Sequence, residues 1–387
     1  MKNKLKDVKP YIFKAYLENM REYCNKYDNI AILNQVKAFV GDENVALSDV
    51  YADFALVSKE EYDRGNRKKR IETIVERILR ARRVNEGLEQ RIEDTYNNIK
   101  INGMVVLSEP GGGKTTYLKH LIFQLLSDEN EIFDKIGLDE NVSYIPFFVR
   151  TRDITDILDN SRTQEEKIFE DIIKDSISSI LGNTITDTDT EIANFTRYLF
   201  CKDSEYRKLL VIDGFEELND SQAQKLLDCI DRAYKDAAIS KSDDKLIISS
   251  RYKEYGYQKL ANYCKSNSIE EKYIIFDDKN NAIDTCVSKW FEILEKNGGD
   301  NYAYFNKMRA SNSDIGRIIT TPLELTGLIM LCQSQSVLPT DIPSLYRLII
   351  EIWLTYGIQD TSIPFFSLSD IFLELSAMHM ELWQIQN

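Results

Sequence analysis

Three apolar runs mark the middle of the chain: Met104-Val105-Val106-Leu107, Leu209-Leu210-Val211-Ile212 and Leu246-Ile247-Ile248. Each is too short for a helix and shows no polar alternation, the pattern of a strand buried on both faces. Together with two further apolar stretches they predict strands near 104–107, 142–149, 209–213, 246–250 and 273–276, with helical spacing between them. Leu118, Leu121, Ile122 and Leu125, for example, recur as one helix face directly after the first strand. Strands alternating with helices predict an α/β domain over 99–280 whose parallel sheet is covered on both sides, with any ligand at the strands' carboxyl ends.

The flanks read as helical. Ile12, Tyr16, Met20 and Tyr23 share one face of an N-terminal helix, and a short strand is expected near Val50–Leu56. From Arg64 to Arg91 a basic stretch overlies Ile71, Ile74, Val75 and Ile78 at helical spacing, which predicts a solvated helix with a basic face or a surface for phosphates, nucleic acid or an acidic neighbour. This N-terminal, mainly helical region is expected to run over 1–98. After Phe276-Asp277-Asp278, Trp290, Phe291 and Leu294, then Ile315, Ile318 and Ile319, then Leu325, Leu328, Ile329 and Leu331 predict a small helical bundle over 281–360. Leu373, Leu375, Met378 and Leu382 open a further helix within 361–387.

The first strand runs into Ser108-Glu109-Pro110-Gly111-Gly112-Gly113-Lys114-Thr115-Thr116. This is a phosphate-binding loop: glycines let backbone N–H groups curl around phosphate oxygens, Lys114 supplies a charge for the β/γ-phosphates, and the Thr115 hydroxyl is a ligand for Mg²⁺. The helix that follows points its unpaired N–H groups at the same anion. Ser108 stands where the usual pattern has its first glycine.

A phosphate loop needs a carboxylate for the metal and a base for the attacking water. The strand Lys208–Asp213 ends in Asp213, placed to position magnesium, and Gly214 permits a sharp turn that carries Glu216 or Glu217 toward the water. Which of the two acts stays open, since acidic residues also suit the start of a helix. The third strand ends in Ser249-Ser250-Arg251, which puts an arginine where it can sense a terminal phosphate.

In this order the motifs resemble a NACHT-type NTPase of the STAND class, the family of bacterial NACHT and NLR-like immune proteins. Asp213-Gly214-Phe215-Glu216-Glu217 is similar to that family's Asp-Gly-x-Asp-Glu, with Glu216 in place of the second Asp. Tyr144–Arg150 resembles its second strand, and Thr321-Pro322-Leu323-Glu324-Leu325-Thr326 its helical-domain proline motif; Leu338-Pro339 and Leu345-Tyr346 extend the run. The resemblance covers roughly 95–360. It implies Mg²⁺ with ATP or ADP as ligands, a contact from Pro322 to the adenine, and a winged-helix domain beginning at 361–387. It further implies a cytoplasmic switch that hydrolyses ATP slowly, responds to a protein or phage-derived trigger, and self-associates on activation.

Composition trims these expectations. With 387 residues, 43% of them hydrophobic, the chain can fill two to three packed domains. Pro10 and the early charges exclude a signal peptide pattern, and no apolar stretch is long enough to span a membrane. The six cysteines form no Cys-x-x-Cys pair and read as reduced thiols, while His379 reads as an ordinary helix residue. A net charge of −14 argues against a chain built as a whole to wrap nucleic acid. Two alternatives stay open: a AAA+ or helicase-like motor ATPase acting on nucleic acid or protein, and a scaffold that holds nucleotide without turnover.

Overall fold

The computed structural model describes residues 10–27, 30–40, 45–52, 54–62, 101–127, 138–139, 142–160, 165–182, 188–199, 206–235, 244–252, 257–276, 281–295, 300–311 and 319–334, with short pieces at 343–344, 347–348 and 351. The basic stretch 64–91, Ile315, Ile318, the Leu338–Tyr346 motifs, the winged-helix segment 361–387 with His379, and Cys201 lie outside the described residues. The chain divides into two compact units, one within Met1–Lys26 and Tyr51–Ala282, the other within Tyr27–Val50 and Ile283–Asn387.

In the first unit a six-stranded sheet has the order β1-β6-β2-β5-β4-β3. Its strands are β1 (Ala55–Ser58), β2 (Gly103–Ser108), β3 (Tyr144–Arg150), β4 (Arg207–Asp213), β5 (Lys245–Arg251) and β6 (Glu270–Ile275). β2 to β6 are mutually parallel, and β1 closes one edge antiparallel to β6, pairing Ala55 with Ile275. The three apolar runs become β2, β4 and β5, whose residues 104–107, 209–212 and 246–248 are all buried. Their lack of alternation follows from helices on both faces of the sheet.

The covering helices are α4 (Lys114–Leu125), α5 (Thr155–Asn160), α6 (Glu165–Leu181), α7 (Thr188–Leu199), α8 (Asp220–Lys235) and α9 (Tyr257–Asn267), together with the amino-terminal α1 (Pro10–Asn25). The described helices of the expected 1–98 region fall in both units. α1 belongs to the first unit, where Ile12, Tyr16, Met20 and Cys24 form a buried stripe at four-residue spacing. The Tyr16 hydroxyl donates to the Pro146 carbonyl of edge strand β3 at 2.8 Å, and Asn19 Nδ2 to the Ile180 carbonyl at 3.2 Å. Each such large apolar side chain contributes roughly 1.5–3 kcal/mol by burial, enough to bind a helix from one end of the chain to a strand more than a hundred residues away.

The second unit holds α2 (Ile30–Val40), α3 (Leu47–Val50), most of α10 (Ala282–Leu294), α11 (Asn301–Ser311) and α12 (Pro322–Ser334). Trp290 is buried with Tyr27 edge-on at 5.5 Å, and Lys289 Nζ donates to the Ser48 carbonyl at 3.1 Å. α12 is apolar on every side, with Leu325, Leu328, Ile329, Met330 and Leu331 buried, as befits the central helix of a bundle. All described cysteines are free and buried, and among the described residues no helix is long and apolar enough to cross a membrane.

Candidate functional site

The carboxyl ends of β2, β4 and β5 gather the residues singled out in the sequence. β5 lies between β2 and β4, and the register pairs Ser108 with Arg251. The arginine that ends β5 therefore stands beside the start of the phosphate loop, and Asp213 one strand further away.

The loop itself is tightly cornered. Gly112 N donates to the Glu109 carbonyl at 3.1 Å, and a Cβ on Gly112 would meet Ser108 Oγ at 2.7 Å and the Glu109 carbonyl at 2.9 Å. Only glycine fits there. Ser108, at the position of the missing first glycine, is 3% exposed and spends its hydroxyl on the Glu109 carbonyl at 3.0 Å. Gly113 is left-handed (φ 84°) and starts α4 with no side-chain cap, so the helix presents its first N–H groups to any anion held by the loop. Pro110 and Gly111 are exposed at the loop's tip, Thr115 is exposed and Thr116 is half-buried. The Glu109 carboxylate accepts from the Tyr62 hydroxyl at 3.3 Å. Tyr62 in turn stacks on Tyr273 at 4.4 Å, and Tyr252 N, next after Arg251, donates to the Ser108 carbonyl at 3.3 Å.

Asp213 is held by two hydroxyls. Thr115 Oγ1 donates to Oδ2 at 2.7 Å and Ser249 Oγ to Oδ1 at 2.6 Å, while Ser249 Oγ accepts from Gly214 N at 3.0 Å. Ser249 is fully buried, so the carboxylate's orientation is set from the inner side and its other oxygen is turned to the loop. Beyond Asp213 the backbone turns left-handed at Gly214 (φ 86°), a conformation that disfavours any side chain, and a 3₁₀ turn Phe215–Glu217 follows. Phe215 is completely buried and pins this turn, and the buried Thr151 hydroxyl donates to the Gly214 carbonyl at 2.6 Å.

The turn sends its two glutamates to different places. Glu216 Oε1 lies 3.6 Å from Lys114 Nζ and 3.2 Å from Arg251 Nε, while Oε2 is buried without a hydrogen-bond partner. Burial pulls the Lys114 ammonium below the usual lysine range, an effect opposed by Glu216 and reinforced by Arg251. Glu217 is exposed and sits over Gly214; partial desolvation, then the neighbouring Glu216, raises its carboxyl above the ordinary glutamate range. The sequence alone assigns no role to Ser249, Thr151 or Tyr62. The signal for Ser249 was present in a small hydroxyl residue directly after an apolar strand, whereas Thr151 and Tyr62 carried none.

Pro322 begins α12 in the second unit. Thr321 Oγ1 accepts from Glu324 N at 3.3 Å, and Glu324 Oε2 accepts from Thr320 N and Thr321 N at 2.8 Å each. This reciprocal cap accounts for Thr-Pro-x-Glu locally, with proline at a position whose N–H would be unpaired in any case.

No protein-family model and no curated protein matches the chain. Among solved structures it is similar to the Aeropyrum pernix ORC2 protein in its ADPNP–ADP complexes, at 13% identity and a TM-score of 0.39, over 68% of this chain and 65% of that one. For C. elegans PCH-2 the figures are 13%, 0.26, 65% and 61%, and for the A. pernix ORC1 protein in complex with DNA 13%, 0.28, 72% and 77%. The chain thus spans less than two thirds of the length of the first two. Likeness this distant leaves the assignment to the chain's own features: the mainly parallel sheet, its strand order and the glycine loop between β2 and α4 make this a P-loop α/β fold.

Proposed function

We propose that this chain is a nucleotide-dependent switch of the STAND class, which binds ATP and ADP at the loop Glu109–Thr116, hydrolyses ATP slowly and self-associates in its triphosphate state. The observation that carries the reading is the meeting of Lys114, the Thr115–Asp213 pair, Glu216 and Arg251 at the ends of three neighbouring strands. Lys114 and the α4 N-terminus hold the phosphates. Thr115 and Asp213, a hydroxyl and a carboxylate oxygen 2.7 Å apart, suit magnesium, which takes one or two protein oxygens and completes its shell with phosphate and water; bound there, it would neutralise the β/γ-phosphate charge.

Hydrolysis needs a carboxylate that accepts a proton from water, and the pair Glu216 and Glu217 supplies it. Glu217 is the better base in this geometry, because it is solvent-accessible and its raised pKa brings it nearer neutrality, where a general base works best. Arg251 shares a carboxylate with Lys114 of the same chain, which supports a role as a sensor in cis. A motor ATPase would instead use such an arginine across a subunit boundary. The adenine contact of Pro322, the trigger, and the setting in bacterial antiviral defence rest on the family resemblance alone.

The test is nucleotide occupancy of the purified protein followed by single-turnover hydrolysis. The switch reading expects retained nucleotide, turnover far below a motor's, and a solution mass that differs between ADP and a non-hydrolysable ATP analogue in the protein with its trigger. Rapid multiple turnover would favour the motor; nucleotide bound without hydrolysis and without change of mass would leave a scaffold.

A further inference from the structure

Glu216 is the one carboxylate of the site fastened only by cations. Its Oε1 lies within 3.6 Å of Lys114 Nζ and 3.2 Å of Arg251 Nε, its side chain is 8% exposed, and Oε2 is buried with no hydrogen-bond partner. Asp213, by comparison, is fixed by two hydroxyls and gives up neither of its oxygens to Lys114 or Arg251. Lys114 and Arg251 are also the two cations that a terminal γ-phosphate would need. From this juxtaposition we infer that Glu216 is a built-in competitor of the γ-phosphate, a carboxylate that a nucleoside triphosphate must displace from Lys114 and Arg251 and that a diphosphate, ending one phosphate short of Arg251, need not.

The inference rests on the nucleotide-switch reading and deepens it. Its physical basis is exchange of one anion for another on the same pair of cations. The phosphate gains two charge-assisted bonds and Glu216 loses two, so part of the triphosphate's binding energy goes into freeing Glu216. The diphosphate draws on Lys114 alone and leaves the Arg251–Glu216 pair intact. Glu216 therefore narrows the preference of the site for ATP over ADP.

The local structure allows the exchange without disturbing the sheet. Glu216 sits at the middle of the 3₁₀ turn Phe215–Glu217, whose backbone is held by the buried Phe215 and by the bond from Glu217 N to the Gly214 carbonyl at 2.8 Å. Displacement is a side-chain rotation. The contacts it gives up are the two charge-assisted ones to Lys114 and Arg251, since Oε2 has no hydrogen-bond partner to lose. The released carboxylate joins Glu217 on the solvent side, so the acidic pair presented to water differs between the triphosphate and diphosphate states.

The experiment measures the Kd of ADP and of a non-hydrolysable ATP analogue, both with Mg²⁺, for the full chain and for Glu216→Gln, which keeps size and removes charge. Triphosphate binding should tighten about tenfold relative to ADP, the scale of a typical coupling between ligands. Glu216→Ala, which adds no amide donor, should move the ratio the same way. In an Arg251→Ala background the selective gain should largely vanish, since coupled residues are non-additive. An unchanged ratio, equal tightening of both nucleotides, a shift with Gln but not with Ala, or a gain that survives loss of Arg251 would each overturn the inference while leaving the nucleotide site intact. Failure of the unsubstituted chain to bind either nucleotide would instead sink the nucleotide reading itself, and the inference with it.

Discussion

Strands β4 and β5 bury charge at both ends, and the two ends are built differently. At the amino end Lys208 Nζ meets Asp244 Oδ2 at 2.8 Å, Asp244 Oδ1 accepts from Lys208 N at 2.8 Å, and the two side chains are 7% and 0% exposed. Alongside, Lys245 Nζ donates to Asn102 Oδ1 at 2.8 Å. Both oxygens of the carboxylate are engaged by Lys208, through its ammonium and its backbone N–H. At the carboxyl end two cations converge on a single oxygen of Glu216, its other oxygen is unpartnered, and Asp213 faces the phosphate loop through a threonine hydroxyl. A buried ion pair that satisfies itself holds strands together, whereas one that is incompletely satisfied can exchange partners.

The sharpest way to break this contrast is at the amino end. Asp244→Ala leaves the Lys208 ammonium buried without its counter-ion and should lower stability by about 3–5 kcal/mol, read as a shift in the urea midpoint, with the nucleotide Kd of the folded protein unchanged. Nucleotide affinity falling in step with stability would show that the two ends are coupled. At the other end, Lys114→Ala should reverse the pattern, costing about 1.5–3 kcal/mol of nucleotide affinity, or roughly ten- to a hundredfold, with little movement in the urea midpoint. ATP and ADP binding as tightly as before would remove Lys114 from the phosphate site.

A smaller effect is expected where the two kinds of construction meet. Ser249→Ala deletes the buried hydroxyl that orients Asp213, and should weaken Mg²⁺-dependent nucleotide binding by about 0.5–1.5 kcal/mol while leaving binding in excess chelator nearly untouched. Ser249→Thr, which keeps the hydroxyl, should restore much of the loss. Equal weakening with and without metal would make Ser249 a packing residue only.

The smallest shift concerns Glu217, whose carboxyl is raised in the fold by partial burial and then by Glu216. The folded state therefore binds this proton more tightly than the unfolded chain, and ionisation of Glu217 disfavours folding as pH rises through its folded-state pKa. Glu217→Gln should be slightly more stable than the parent at neutral pH, and the difference should disappear at pH below the ordinary glutamate range. If Glu217 is also the base, the acid limb of single-turnover hydrolysis should lie above that of an ordinary carboxylate, and the glutamine variant should bind nucleotide yet hydrolyse it slowly. A stability difference that grows toward acid pH would contradict the assigned environment.

The contrast also shows what a sequence can disclose. The strands, the glycine loop and the helix after it were legible because each is written in neighbouring residues: unbroken apolar runs over 104–107, 209–212 and 246–248, glycines ahead of Lys114, and the four-residue stripe of Ile12, Tyr16 and Met20. Asp213 and Arg251 were legible as strand ends. The partition of Glu216 and Glu217 was not, because two adjacent acidic residues look alike until the left-handed Gly214 and the buried Phe215 fix which way each points. Within 1–98, expected as a mainly helical region with a short strand near 50–56, β1 (Ala55–Ser58) pairs with β6 and α1 packs on β3, while α2 and α3 fall in the other unit, placements that no local pattern records.

Local chemistry thus determined the elements and the identity of the phosphate loop, since helix, strand and turn preferences act over a few residues and leave periodic marks. Only the tertiary structure decided that β5 lies between β2 and β4, that Thr115 reaches Asp213 across 98 positions, and that Lys114 and Arg251 share one carboxylate. Those outcomes depend on strand pairing and on burial between segments far apart in the chain, where the free energy comes from excluding water between whole layers and no short stretch of sequence carries its record.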